Sequence, residues 1–420
     1  MLLLLYNIGI GIYWCLAHVA APFYPKAKLW CKGRKQWLKQ LQQAMEQTAQ
    51  QTVWIHCSSL GEFEQGRPII EAIKALNPQQ RIVLTFFSPS GYEIRKNYAL
   101  ADYVCYLPLD TRRNAARFVA TIRPSVAIFV KYEFWYHYLN TLSKNNIATY
   151  VISAIFRPQQ AFFKPYGGWY RRFLRRFTHL FVQDPQSEQL LQKIGVENVT
   201  VCGDTRFDRV LAIAQKATAI AEVERFCAQQ PNAPTLVAGS TWPPDEDLLA
   251  QYMRSNPSLR LIIAPHEVHE AHIKSVEDKL AFAGVVRYSQ LHDSPNNMPA
   301  SAPRVLIVDT IGLLSAIYRY GQIAYIGGGF GVGIHNTLEA AVYGMPVLFG
   351  PNHKRFNEAL GLIAAGGATG IANANELKHS LDALLANHNK LEQSAKAAAN
   401  YVQSMSGATT AIMQALKSHL

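Results

Sequence analysis

The sequence predicts an α/β protein of two doubly wound domains facing a cleft, with an apolar membrane-associated helix at its amino end. Three observations carry this. Short β-rich apolar runs alternate with helix-like segments, a pattern of parallel sheets covered on both faces. The series pauses around residues 203–233, where a helical segment (207–229) ends in Gln-Gln-Pro-Asn-Ala-Pro, and then restarts. Residues 1–24 contain no formally charged side chain. The expected organisation is an anchor and basic segment (1–40), a first domain (41–205), a linker region (206–233) and a second domain (234–420).

Residues 1–24 are just long enough to cross a bilayer as a helix. No basic stretch precedes the apolar run, which argues against a cleaved signal peptide. Lys26, Lys28, Lys32, Arg34, Lys35 and Lys39 follow at once, and Arg171, Arg172, Arg175 and Arg176 form a second basic knot. With a formal charge of +12 over 420 residues, the chain calls for an anionic partner. No zinc-finger spacing or aromatic RNA-binding motif accompanies the charge, so a membrane surface ranks ahead of nucleic acid. Spanning and surface-lying helices both fit. The six cysteines are scattered with no C-x-x-C, which indicates neither a disulfide framework nor a zinc knuckle.

In the first half the strands are read at 53–57, 81–87, 103–108, 125–130, 147–153 and 179–183. In the second they fall at 235–240, 259–265, 285–288, 304–309, 322–327 and 346–350. Ligands of such sheets bind beyond the carboxyl ends of the strands, so the loops there are the places to search. After the first strand, Glu62 stands where a helix begins, either as a charge at the helix start or as a general base. After the fourth comes Glu133 among aromatics, paired in the simplest reading with Lys131 or Arg157. Arg206 lies in Gly-Asp-Thr-Arg-Phe-Asp (203–208), able to meet a phosphate or to pair with Asp204 or Asp208. His266 and His269 are three apart, which fails the H-E-x-x-H zinc spacing. Asp309–Leu314 follows another strand and can present backbone N–H groups to a base or ribose.

Residues 325–351, YIGGGFGVGIHNTLEAAVYGMPVLFGP, read as strand, glycine-rich turn, helix opening near Asn336, and strand. Gly327, Gly328, Gly329, Gly331 and Gly333 allow a sharp turn that brings bare N–H groups close to a ligand. An anion suits the helix start that follows. Asn336 and Glu339 have capping-box spacing, and Glu339 can equally accept from ribose hydroxyls. The turn is neither a strict G-x-G-x-x-G nor a P-loop.

Taken in order, Ser59–Glu62, Tyr132–Trp135, Gly203–Asp208, Ala-Gly-Ser-Thr (238–241), Ala264–His266, Asp309–Gly312 and the Gly-Gly…His-Asn-Thr-Leu-Glu-Ala-Ala segment resemble one family. It is 3-deoxy-D-manno-octulosonic acid (Kdo) transferase, the lipopolysaccharide inner-core glycosyltransferase, and the likeness covers nearly the whole chain. The resemblance implies a GT-B arrangement of two Rossmann-like domains. It also implies Kdo transfer from CMP-Kdo to a phosphorylated lipid A precursor at the cytoplasmic face of the inner membrane, without a metal or other cofactor. Carried over by motif position, Glu62 is the general base, and Glu133 and Arg206 stabilise the transition state. Pro265, His266, Ile311, Gly312, Leu313, Asn336, Thr337, Leu338 and Glu339 contact CMP. The family commonly has Arg where this chain has His266, which calls a cationic contact to the nucleotide into question. Three other classes are compatible with parts of the pattern: a UDP-sugar transferase or epimerase of the same fold, a membrane-docked scaffold, and a nucleic-acid binder.

Overall fold

The computed structural model describes residues 1–46, 51–293 and 302–420. It divides into two compact units, one made of Met1–Asp208 with Ser406–Leu420 and the other of Arg209–Met405. The first unit holds strands β1 (Thr52–Cys57), β2 (Arg81–Phe86), β3 (Tyr103–Tyr106), β4 (Pro124–Val130), β5 (Ala148–Ala154), β6 (His179–Val182) and β7 (Val199–Val201). Their order is β3-β2-β1-β4-β5-β6-β7, and every pair is parallel. Strand alternation divides the side chains between two cores. Val53, Ile55, Val126 and Ile128 go to one face, and Trp54, Ala127 and Phe129 to the other.

The second unit holds β8 (Thr235–Thr241), β9 (Arg260–Pro265), β10 (Val285–Arg287), β11 (Val305–Ile307), β12 (Ile323–Ile326), β13 (Val347–Phe349) and β14 (Ala368–Gly370). Their order, β10-β11-β9-β8-β12-β13-β14, is again all parallel. The sequence reading lacks only the three-residue edge strands β7 and β14. The expected long helix over 207–229 is two, Thr205–Lys216 and Ala221–Ala228. Residues 406–420, read from the sequence as part of the second domain, fold back into the first unit. Ile412 and Leu416 of the helix Ala408–Leu416 enter the core of Val53 and Ile55, and Asp208 accepts from Gly407 N (2.5 Å) and Thr409 N (2.6 Å).

At the amino end lie helices α1 (Leu2–Ala20), α2 (Pro25–Lys32) and α3 (Trp37–Met45). α1 is long and apolar enough to cross a membrane, and none of it is buried. It is nonetheless fastened along its side. Tyr6 donates to Asp110 (2.5 Å), Asn7 bonds His137 (2.7 Å), and the Tyr13 ring meets Trp30 edge-on at 5.4 Å. Leu4, Leu5, Ile8, Ile12, Leu16 and Val19 face outward.

Part of the basic sequence is structural. Arg34 donates to Leu107 O and Phe87 O and lies over the Trp30 ring at 4.0 Å, and burial lowers its pKa to about 10. Arg171 and Arg176 likewise bond Phe162 O and Asn140. Lys26, Lys28, Lys32, Lys35 and Lys39 are exposed.

Candidate active site

In the first unit, Glu62 follows β1 and Glu133 follows the adjacent strand β4, so both carboxylates stand beyond the carboxyl ends of neighbouring central strands. Ser59 caps the helix α4 (Leu60–Leu76), and Glu62 closes a capping box by accepting from the Ser59 N–H (3.0 Å) and from its hydroxyl. Both bonds go to Oε2, which fixes the rotamer and leaves Oε1 outside the cap. The cap and base readings of Glu62 are therefore compatible in one conformation.

Glu133 is 8% exposed and, among the described residues, is paired with neither Lys131 nor Arg157. Its Oε2 accepts from Trp135 Nε1 (2.7 Å) and lies 3.1 Å from His56 Nε2. His56 Nδ1 is 2.8 Å from Thr85 Oγ1, which in turn accepts from Trp54 Nε1 at 2.9 Å. One proton arrangement satisfies the whole chain. Trp54 donates to Thr85, Thr85 donates to His56 Nδ1, and His56 Nε2–H donates to Glu133 Oε2. Low-dielectric surroundings strengthen such a network when every member is satisfied. His56 escaped the sequence reading because a histidine inside VWIHC looks like a core position. Lys131, at φ 69°, turns the chain out of β4 toward Glu133. Burial pushes the Cys57 thiol well up, with Glu62 and Glu133 adding to the effect, so it remains a protonated thiol.

Arg206 reaches the same unit from beyond β7. Its guanidinium meets Asp204 (Nη2 to Oδ2, 2.9 Å; Nε to Oδ2, 3.0 Å), the surface-pair reading made from sequence, except that Asp204 is buried. Asp204 also accepts from Gln65 Nε2 (2.7 Å), and Thr205 Oγ1 donates to Gln65 O (2.5 Å). Gln65 lies on α4, so the helix that carries Glu62 also positions the Arg206 segment.

The second unit brings together a different set. His266 follows Pro265 at the end of β9, its N–H donating to Thr241 O (2.9 Å). Its ring stacks between Trp242 (4.7 Å, 26°) and His335 (4.4 Å, 28°). Trp242 Nε1 donates to His335 Nε2 (3.2 Å), and burial, helped by His266, lowers the His335 pKa to about 4. The cationic contact that His266 called into question thus gives way to an aromatic stack with a neutral imidazole at its base.

The glycine turn differs from expectation. The N–H groups of Gly327, Gly328, Gly331 and Gly333 are all occupied, bonding Gly239 O, Asp245 Oδ2, Gly328 O and Gly328 O. A Cβ on Gly327 would overlap Ser240 O, and one on Gly329 would overlap Gly350 N. Close backbone packing is what these glycines serve. Buried Asp245, which also accepts from Tyr325 Oη (2.7 Å) and Trp242 N (2.9 Å), clamps the turn; sequence reading missed it.

The helix expected to open near Asn336 is a single turn, Leu338–Ala341, with Thr337 at its N-cap. Asn336 accepts from Leu338 N (3.1 Å) and donates to Glu339 (2.9 Å), so its side chain organises the turn from one residue further out. So short a helix has little macrodipole to offer an anion. The Thr337 hydroxyl is buried and lacks a partner among the described residues. Ile311 is 87% exposed beside Gly312 (φ 96°), and Leu313 caps the turn Leu314–Ile317.

A family model described as 3-deoxy-D-manno-octulosonic-acid transferase (kdotransferase) matches residues 34–209, which include Glu62, Glu133 and Arg206. A 3-deoxy-D-manno-octulosonic acid transferase of Aquifex aeolicus is 27% identical over 341 residues, 79% of this chain and 86% of that protein. One of Rickettsia bellii is 25% identical over 348 residues, 81% of each. The chain is thus similar to Kdo transferases over about four-fifths of its length. The two parallel sheets also have a likeness among other solved structures. A UDP-GlcNAc 2-epimerase structure from Neisseria meningitidis, bound to UDP-GlcNAc, superposes with a TM-score of 0.60 at 15% identity. It covers 88% of this chain and 100% of that one, a likeness of fold alone.

Proposed function

We propose that this chain is an inverting glycosyltransferase that moves Kdo from CMP-Kdo to a phosphorylated lipid A precursor in lipopolysaccharide synthesis. The observation that carries the reading is that the matched family segment contains all three candidate catalytic residues, with Glu62 and Glu133 beyond the carboxyl ends of adjacent strands. Glu62 Oε1 takes the proton of the acceptor's primary hydroxyl as that oxygen attacks the anomeric carbon of Kdo. The bond to the phosphate oxygen breaks with its electron pair, CMP leaves, and the configuration inverts. Glu133 and Arg206 stabilise charge in the transition state.

The second unit supplies the nucleotide side. Pro265 and His266, Ile311 to Leu313, and Asn336 to Glu339 contact CMP, with the Thr337 hydroxyl open to a further hydrogen bond. The reading gives the leaving phosphate to protein donors, not to a metal ion. α1 lies on the cytoplasmic face of the inner membrane as a surface helix, because its Tyr6, Asn7 and Tyr13 side is fastened to the first unit.

The test is Glu62→Gln. Turnover of CMP-Kdo on a tetra-acylated lipid A precursor, followed by mass spectrometry, should fall by ~10²-fold or more while CMP binding is retained. Near-wild-type turnover would remove Glu62 from the mechanism. Competition by UDP as strong as that by CMP would remove the donor assignment.

A further inference from the structure

We propose that a cavity between α1 and the start of the helix Arg112–Ile122 holds the headgroup of an anionic glycerophospholipid, whose acyl chains run along the outer face of α1. The cavity measures about 640 Å³, within the size of ordinary small-ligand sites. One wall is the α1 stripe Asn7, Ile10, Gly11 and Trp14, and the other includes Arg112 and Arg113. Successive helix residues turn by about 100°, which divides α1 into three sectors. Tyr6 and Tyr13 fasten it to the body, and Leu4, Leu5, Ile8, Ile12, Leu16 and Val19 cover an apolar arc of about 120°. The cavity stripe falls between them. A headgroup seated there therefore sits at the border of the apolar arc, where its chains continue along exposed leucine and isoleucine.

Charge selects the headgroup. Arg112 and Arg113 are exposed, and neither forms an ion pair among the described residues. Asp110 also lines the cavity, but its oxygens already accept from Tyr6 Oη, His137 N (3.0 Å) and Tyr138 N (3.1 Å). Two cations beside a membrane-facing apolar helix fit a lipid phosphate, each adding to attraction for an anionic leaflet. The inference rests on membrane docking by α1 and is independent of glycosyl transfer.

Vesicle co-sedimentation tests it, comparing phosphatidylcholine vesicles with ones containing phosphatidylglycerol. Arg112→Ala with Arg113→Ala should reduce the preference for anionic vesicles about tenfold or more and leave binding to neutral vesicles unchanged. Gly11→Phe fills the cavity without changing charge, since a Cβ at Gly11 meets nothing within 4 Å, and should reduce the preference similarly. Lys144→Ala with Lys193→Ala removes two cations elsewhere in the unit and should preserve it. The proposal is overturned if either cavity variant keeps the preference, or if the lysine control loses it equally. It is also overturned if glycerol 3-phosphate competes as strongly as a short-chain phosphatidylglycerol. Loss of binding to neutral vesicles by wild type would instead count against membrane docking itself.

Discussion

The two units differ in which carboxylates collect the donors at their strand ends. In the first, donors converge on a carboxylate: Trp135 and His56 on Glu133, Ser59 on Glu62. In the second, donors turn back on the protein's own backbone and on buried Asp245, and the exposed ring of His266 stacks on a neutral His335. On the proposed function the contrast separates two tasks. Converging donors hold negative charge in a fixed orientation, as proton transfer and transition-state stabilisation require. A turn with four of its five glycine amides occupied makes a stiff floor, and on the proposed function recognition there rests mainly on stacking and shape.

The largest effect that sharpens this contrast is Glu133→Gln. It keeps the volume, removes the charge, and is expected to lower turnover by ~10²- to 10³-fold while CMP binding to the second unit stays intact. Isothermal titration with CMP beside turnover assays checks it, and equal losses in both would erase the division of labour. Next is Gly327→Ala, which forces a methyl group onto Ser240 O and should destabilise the second unit by ~1–3 kcal/mol. Hydrogen-exchange mass spectrometry should register the loss in peptides of 209–405 and spare those of the first unit.

His56→Phe is smaller. It preserves ring shape but leaves Glu133 without one donor, and kcat should drop about tenfold, the worth of one hydrogen bond to a charged group, with the donor KM unchanged.

The smallest effect is a divergence in pH response. His335 is lowered to about 4, so the unfolded chain takes up its proton first, and its stabilising contribution, complete above 6.5, is lost as pH falls through 4. Asp110 is raised to about 6 by burial, so the folded chain keeps its proton longer, and its contribution is present below 3.8 and lost as pH rises through 6. Between pH 6.5 and 4, exchange protection should weaken around His335 and strengthen around Asp110. His335→Gln should flatten the first trend and Asp110→Asn the second.

Much of the fold could be read from the residues, because a buried parallel strand needs a run of apolar side chains and little else does. VWIHC, SVAIFV and TLVAGS announce themselves, whereas Val199–Val201 and Ala368–Gly370 are too short and too exposed to carry a pattern. The site was harder for a different reason. Composition says that a glycine can turn and that a glutamate can cap, but the partner of each is set by tertiary contact. Gly328 meets Asp245 from 83 positions away, and Glu133 meets His56 from 77. Arg206 with Asp204, two residues apart, was within reach of local reading.

The return of residues 406–420 to the first unit bears on biosynthesis. Ile412 and Leu416 complete a core that β1 began some 350 residues earlier, so a ribosome delivers the closing piece of the first unit only after making the whole of the second. The nascent amino-terminal half must wait with that apolar face uncovered, a period in which chaperone or bilayer contact has the most to protect.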